Sequence, residues 1–468
     1  MLRRLLDSPW TYFALAGLLV VIGLSTLFEV RLPSRPGGDV DDLLALRERD
    51  DVNVLFILID TLRADHLGAY GYERDTSPVM DYVAASGIRF AHVQAQSSWT
   101  KSSMASLWTG HYPRRVGVMR YQDAVAPEAV MPAERLKEAG FATGGVYRNG
   151  WVESNFGFDQ GFDLYVKPVP SQTPDRFTHK GPGVARVGGT DRDATDSAME
   201  FIRSHKDERF FLYVHYMDVH QYLYAVESAL FGSEIRDAYD NAIHWTDRNV
   251  SALLGTLEDF DLFDRTLVII ASDHGEGFYE HGLEGHARNL YREVTETPLL
   301  LIPPFRMDPG IVVEEPVQNV DIWPTVLDLL GLEPLPNTDG RSVVPLILAA
   351  AGRSADSDGL RARPAFAELD RRWAKSTEPG HEIVALVDGD YRLIHEAKSP
   401  EDGTELYDRS RDPTEQRNIA EQRPEVVEAL RPKLEGYLSA ERALEPPKVH
   451  LDEMRKQQLR ALGYVDLD

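Results

Sequence analysis

The side chains in this chain that could do chemistry gather at the ends of apolar runs. Residues 52–59 (VNVLFILI) form a continuous, branched run that ends in Asp60. Residues 266–271 (TLVIIA) repeat the pattern and end in Ser272, Asp273 and His274, while residues 210–214 (FFLYV) lead into His215, Asp218 and His220. Taken singly, each aspartate has an ordinary use as a helix cap after a strand. Two strand-end carboxylates and an imidazole on one sheet edge are another matter. They make an oxygen, oxygen and nitrogen set that suits a divalent cation.

The elements that must position these groups are legible in outline. Short runs that are apolar on both faces fit strands buried in a parallel sheet, and open α/β sheets bind ligands beyond the carboxyl ends of their strands. Helical spacing over residues 131–139, 193–205 and 239–258 alternates with the runs, so a large doubly wound α/β domain is predicted over 51–350. Two strands around an Asp388-Gly389 turn place a small antiparallel subdomain at 360–423, followed by a helical segment at 424–468. Residues 31–50 are charged and rich in proline and glycine, and read as a linker, with the folded domain starting near Asp51.

Composition narrows the function classes. The 468 residues carry 75 acidic and 50 basic side chains, a net charge of −25, which argues against nucleic acid as a partner. With no cysteine in the chain, disulfides, thiolate metal sites and cysteine nucleophiles are excluded. Residues 10–28 (WTYFALAGLLVVIGLSTLF) are uncharged and as a helix would span roughly 28 Å, about one bilayer core. Arg3 and Arg4 precede them, which predicts a single-pass anchor over residues 1–30 in the cytoplasmic membrane, with everything after it extracytoplasmic. A cleaved signal peptide is the competing reading, but the run exceeds a usual h-region and no A-x-A site follows it.

Several ordered motifs resemble the sulfatase branch of the alkaline phosphatase superfamily, from about residue 51 to 420. They are Ile59-Asp60-Thr61-Leu62-Arg63-Ala64-Asp65-His66, Ser98-Trp99-Thr100-Lys101-Ser102-Ser103-Met104 running into Leu107-Trp108-Thr109-Gly110, and Ser272-Asp273-His274-Gly275-Glu276 with Gly285-His286. Val320-Asp321-Ile322-Trp323-Pro324-Thr325, Asp339-Gly340-Arg341 and Glu405-Leu406-Tyr407-Asp408 continue the match. The resemblance implies a large mixed sheet of alkaline phosphatase type, a small C-terminal α+β subdomain and a divalent metal.

One departure stands at the nucleophile. Typical sulfatases carry C/S-x-P-S-R, whose first residue is oxidised to formylglycine; counting back from Leu107 puts Thr100 there and Met104 at the arginine. Threonine cannot become formylglycine. It is the nucleophile in other branches of the superfamily, such as phosphoethanolamine transferases and nucleotide pyrophosphatases, and there it also ligates the metal. The resemblance therefore implies a site of Asp60, Thr100, Asp273 and His274 holding one divalent ion, zinc or manganese ahead of calcium or magnesium, with Thr61 where typical sulfatases have a second aspartate. It further implies that His220 and His286 contact the transferred group or the leaving oxygen, with weaker cases for His215, His281 and Lys101. Arg148 or Asn149 stands in place of a family lysine.

The expected function is a membrane-anchored, metal-dependent hydrolase of phosphate esters, with sulfate esters as second choice, working through a phosphothreonyl enzyme. A phosphotransferase that moves a head group such as phosphoethanolamine or phosphoglycerol onto a lipid or glycan is the first alternative. A non-catalytic binding protein is the second. In each case the partner is an anionic ester, free or carried on a glycan or lipid.

Overall fold

The apolar runs become the central strands of an eight-stranded mixed sheet. The computed structural model describes residues 35–171, 176–178, 189–361, 363–375, 377–396, 403–453 and 456–457. In chain order the strands of this sheet are β1 Asn53–Ile59, β2 Ile88–Phe90, β3 Ala142–Tyr147, β4 Leu164–Val166, β5 Phe210–Tyr216, β6 Thr266–Ala271, β7 Leu299–Ile302 and β8 Ile311–Val313. Their spatial order is β8-β2-β7-β6-β1-β5-β3-β4. The stretch β6-β1-β5-β3-β4 is parallel, and β7 runs antiparallel to both β6 and β2. Register pairs Ala271 with Leu58, Leu58 with His215, and His215 with Tyr147, so four adjacent strands end on one edge.

Both faces of β1 are buried, as its unbroken apolar run requires. Val54, Phe56 and Leu58 share one core with Trp108 of α1 (Thr100–Thr109), Trp323 and Val326. Leu55, Ile57 and Ile59 share the other with α2 (Asp191–His205) and α3 (Ile235–Asp259), through residues such as Phe201, Ile243 and Leu253. The helix α4 (Ile322–Leu329) brings Trp323, which stacks on Trp108 with ring centroids 5.2 Å apart.

The C-terminal subdomain is an antiparallel sheet β9-β10-β11-β12 (Ala365–Asp370, Glu382–Asp388, Tyr391–Glu396, Thr404–Asp408). Against it packs α5 (Pro424–Leu438), whose Leu430, Leu434 and Tyr437 share a core with Val384, Leu386 and Leu393. This helix is thus the second layer of the subdomain rather than a separate segment. The reading of residues 31–50 as a linker also needs correction. Val40–Ala45 is a helix capped by Asp39, whose carboxylate accepts the Asp41 N–H at 2.7 Å, and Val40, Leu43 and Leu46 are buried in the main core. The spacing of just those three residues anchors it, although the aspartates between them mask the pattern. The membrane anchor expected at residues 10–28 lies outside the described residues; among the described ones, no helix is long and apolar enough to cross a membrane.

Candidate active site

The shared sheet edge delivers Asp60 from β1, Asp273 and His274 from β6, His215 from β5 and Asn149 just past β3. All five side chains are buried. Ligand atoms of Asp60, Asp273 and His274 lie within 4.8 Å of one another. The His274 Nε2 is 3.3 Å from Asp273 Oδ2 and 4.0 Å from Asp60 Oδ1, and Thr100 Oγ1 is 3.1 Å from the same nitrogen. The four residues expected to hold a metal are therefore brought together.

The local backbone accounts for this convergence. Thr61 takes a left-handed conformation at φ 61°, a strained choice for a β-branched residue. Three hydrogen bonds hold it there: its N–H donates to Asp273 Oδ1 (3.3 Å), its hydroxyl to the Asp60 carbonyl (2.7 Å), and its own carbonyl accepts from Tyr239 (2.7 Å). The hydroxyl thus turns back to the backbone. Ser103 donates to the Asp273 carbonyl at 2.6 Å, tying α1 to the end of β6. Thr100 is the first residue of α1 after the cap position Trp99, so its hydroxyl stands at a helix N-terminus, where negative charge is favoured.

Electrostatics separate the two carboxylates. Burial raises the Asp60 carboxyl, but His220, His215 and His274 outweigh it and hold Asp60 below the usual carboxylate range. Burial and then the charge of Asp60 push Asp273 well above it. Burial, followed by the neighbouring His286, pulls the His274 imidazole down to about 4. The Nδ1 of His274 faces the Gly275 carbonyl at 3.0 Å, so the neutral ring carries its proton there and turns the Nε2 lone pair into the site.

A metal fits these donors. Asp60 Oδ1 and Asp273 Oδ2 are buried oxygens with no hydrogen-bond partner among the described residues, a costly state unless a cation completes it. Two carboxylate charges and a lone pair complement a dication.

The other expected residues divide. His220 and His286 sit beside the metal set, their rings 5.0 Å apart, and the His286 ring is 4.5 Å from that of His274. His215 joins them directly, with Nε2 3.2 Å from Asp60 Oδ2 and Nδ1 2.7 Å from the Tyr213 hydroxyl. Of the Arg148 and Asn149 pair, Asn149 belongs to the site. Its Nδ2 donates to Asp60 Oδ2 (2.6 Å) and reaches Thr100 Oγ1 (3.4 Å), while Arg148 is held between Asp191 and Asp218. Lys101 points elsewhere: its buried ammonium donates to the Tyr121 carbonyl and lies 3.3 Å over the Phe156 ring. His281 is structural, bonded to Glu293 and the Glu415 carbonyl and stacked on Tyr291. Met104 is packed in the core. Glu276 was not singled out from sequence, yet its buried Oε1 lies 3.0 Å from His286 Nδ1 and orients that ring. Its place two residues after His274 was the available signal.

From Trp99 outward runs a cleft of about 980 Å³, lined by His220, the 282–288 loop and residues 371–375 of the C-terminal subdomain. The fold and this site fit a hydrolase of the alkaline phosphatase kind, and comparison with known families gives the family. The sulfatase family profile matches residues 52–332, and that of the N-sulphoglucosamine sulphohydrolase C-terminal region matches residues 279–441.

The chain belongs to the sulfatase family and is a hydrolase of that family. Among curated relatives it is 24% identical to an N-acetylgalactosamine-6-O-sulfatase of Bacteroides thetaiotaomicron, over 82% of this chain and 92% of the relative. It is 27% identical to human arylsulfatase A, over 81% and 86%. Among solved structures it superposes on a 2-O GAG sulfatase with a TM-score of 0.68 at 18% identity, covering 89% of this chain and 95% of the other. The phosphonate monoester hydrolase of Agrobacterium radiobacter gives 0.63 at 20% identity, covering 89% and 98%.

Proposed function

We propose that this protein hydrolyses phosphate esters with Thr100 as the nucleophile and one divalent ion, zinc or manganese, held by Asp60, Thr100, Asp273 and His274. The observation that carries the reading is the position of the Thr100 hydroxyl: buried, at the head of α1, and 3.1 Å from His274 Nε2 inside a set of oxygens that want a cation. A cation held by Asp60, Asp273 and His274 would supply the positive charge that lowers the pKa of the hydroxyl. Thr100 gives up its hydroxyl proton to solvent and its Oγ1 forms a bond to phosphorus as the ester P–O bond breaks, while the departing oxygen takes a proton from His286, oriented by Glu276, or from His220 beside it. Asn149 holds the Asp60 carboxylate and the nucleophile in one frame. Water cleaves the phosphothreonine in the second half, returning the hydroxyl; a lipid or glycan hydroxyl in its place would make the same chemistry a transfer.

Sulfate esters are the second reading, favoured by the names of the relatives. They are disfavoured by Thr100, whose β-methyl bars the aldehyde that sulfatases make at this position. Enzyme quenched during turnover of an aryl phosphate should carry phosphate on the peptide containing Thr100. Thr100→Ala should lose three or more orders of magnitude in rate, as expected for a nucleophile that is also a ligand. Near wild-type turnover by Thr100→Ala would end the covalent reading. An extracytoplasmic position is part of the proposal, resting on Arg3, Arg4 and the apolar residues 10–28. Protease added to intact spheroplasts should digest the domain, and protection in spheroplasts until lysis would overturn that topology.

A further inference from the structure

The charge of the cleft runs against that of the chain. A protein with 75 acidic and 50 basic side chains lines the wall of this one cleft with Arg288, Arg371, Arg372 and Lys375 against Glu284 and Glu378. Arg372 is partly answered by Glu378 at 3.2 Å and Arg371 by Glu396 at 3.4 Å, whereas Arg288 is exposed and has no acidic partner among the described residues. The side chains of Arg371 and Arg372 as a whole keep 39% and 36% of their surface open to solvent. They are available to a ligand.

These cations are not loose surface charges. Trp373, between them and Lys375, is buried and stacks on Trp99 with centroids 4.7 Å apart, and its indole N–H donates to the Ala287 carbonyl at 3.3 Å. Arg371 Nε donates to the Arg288 carbonyl at 3.1 Å. The C-terminal subdomain and the loop after His286 are thereby pinned together, with their basic residues on the cleft wall. Trp99 directly precedes Thr100. A substrate whose phosphoryl group sits at Thr100 must pass the rest of its body along Trp99, His286 and Trp373, and out past these arginines.

We infer that Arg288, Arg371 and Arg372 form an anion subsite, and that the preferred substrate bears a second negative group, carboxylate, sulfate or phosphate, remote from the ester that is cleaved. The inference rests on the placement of the cleaved group at Thr100 and goes beyond it by naming the substrate class. A neutral aryl or steryl ester would leave the arginines with nothing to bind. A remote anion would meet guanidinium donors suited to bidentate pairing.

The test reads binding without turnover. Isothermal titration of the metal-loaded full chain with phenylphosphonate, 4-phosphonobenzoate, its 4-sulfonate analogue, its 4-trimethylammonium analogue and 4′-carboxybiphenyl-4-phosphonate holds the reacting end constant and varies the tail. At low salt the anionic tails should bind about tenfold tighter than phenylphosphonate and the cationic tail more weakly, with the gap narrowing as ionic strength rises. Arg371→Ala combined with Arg372→Ala should erase the preference. Arg288→Glu, which breaks no ion pair among the described residues, should turn it toward the cationic tail. Equal Kd values for anionic and neutral tails in the wild type, or a preference unmoved by both variants, would overturn the subsite. Turnover by Thr100→Ala would instead overturn only the nucleophile, since phosphonate binding does not depend on it.

Discussion

Two pairs of fully buried aspartates lie past the carboxyl ends of this sheet, and the protein treats them in opposite ways. Asp191 and Asp218 are saturated: Arg148 Nη1 lies 2.5 Å from both, and the remaining lone pairs accept from Met217 N, Thr246, Trp245 Nε1 and Asp191 N. Asp60 and Asp273 receive no arginine or lysine among the described residues, only imidazoles, an amide and a backbone N–H, and one oxygen of each is left without a hydrogen bond there. Burial is the same in both pairs. What differs is whether the chain supplies the counter-charge itself. Where it does, the acids are structural; where it does not, the pair is left suited to a cation from solution.

The sharpest break between the two is Asp273→Asn. In the metal-loaded enzyme it should remove the ion and lower the rate by about three orders of magnitude or more, measured by metal analysis beside steady-state kinetics. In the metal-free protein the same change should raise stability in urea, because it removes an acid whose ionisation burial and Asp60 both oppose. Unchanged metal content would remove Asp273 from the ligand set.

Arg148→Met should do the reverse. It strands two buried carboxylates and should cost about 3–5 kcal/mol of stability, read by urea unfolding, while the folded fraction keeps its metal. A stable Arg148→Met protein that binds metal but turns nothing over would place Arg148 in the chemistry instead.

The acid side of the stability curve offers a third test. His274 is held at about 4 in the folded, metal-free chain by burial and by His286, against 6.5 when unfolded. Between those values the unfolded chain binds the extra proton, so stability rises with pH across the window and is lost as pH falls from about 6.5 toward 4. The contribution is on the order of 3 kcal/mol. His274→Gln should flatten that window in metal-free protein. An unchanged slope would mean that His274 titrates as it does in water.

Much of this contrast was legible in the sequence, and the reason is geometric. Continuous apolar runs such as 266–271 can only be strands buried on both faces, so the polar residue after each run must emerge at the sheet edge. That argument reaches Asp60, Asp273 and His274 directly. It could not choose between Arg148 and Asn149, since neighbouring residues at a strand end face opposite ways and a register one step off exchanges them. Nor could it bring Trp373 and Arg371 to Trp99, because contacts across more than 270 positions leave no local pattern. The helix at Val40–Ala45 escaped for a simpler reason, two buried residues, Val40 and Leu43, set among acidic ones.

Asn149 supplies the smallest and most discriminating test of the comparison. Its amide is the counterpart of Arg148: a neighbouring residue delivering N–H donors to a buried carboxylate, but without charge. The Asn149 Oδ1 accepts the Trp151 N–H at 2.8 Å, which fixes the amide so that Nδ2 faces Asp60 and Thr100. If it only aims ligands, Asn149→Ala should lower turnover or metal affinity by about 10–100-fold, the range for residues that orient metal ligands. Asn149→Asp should do worse than alanine, because it sets a third carboxylate against Asp60 Oδ2, where a donor stood. Loss of the metal outright in Asn149→Ala would make Asn149 a ligand in its own right, and the site would then be completed by an amide as well as by the ion.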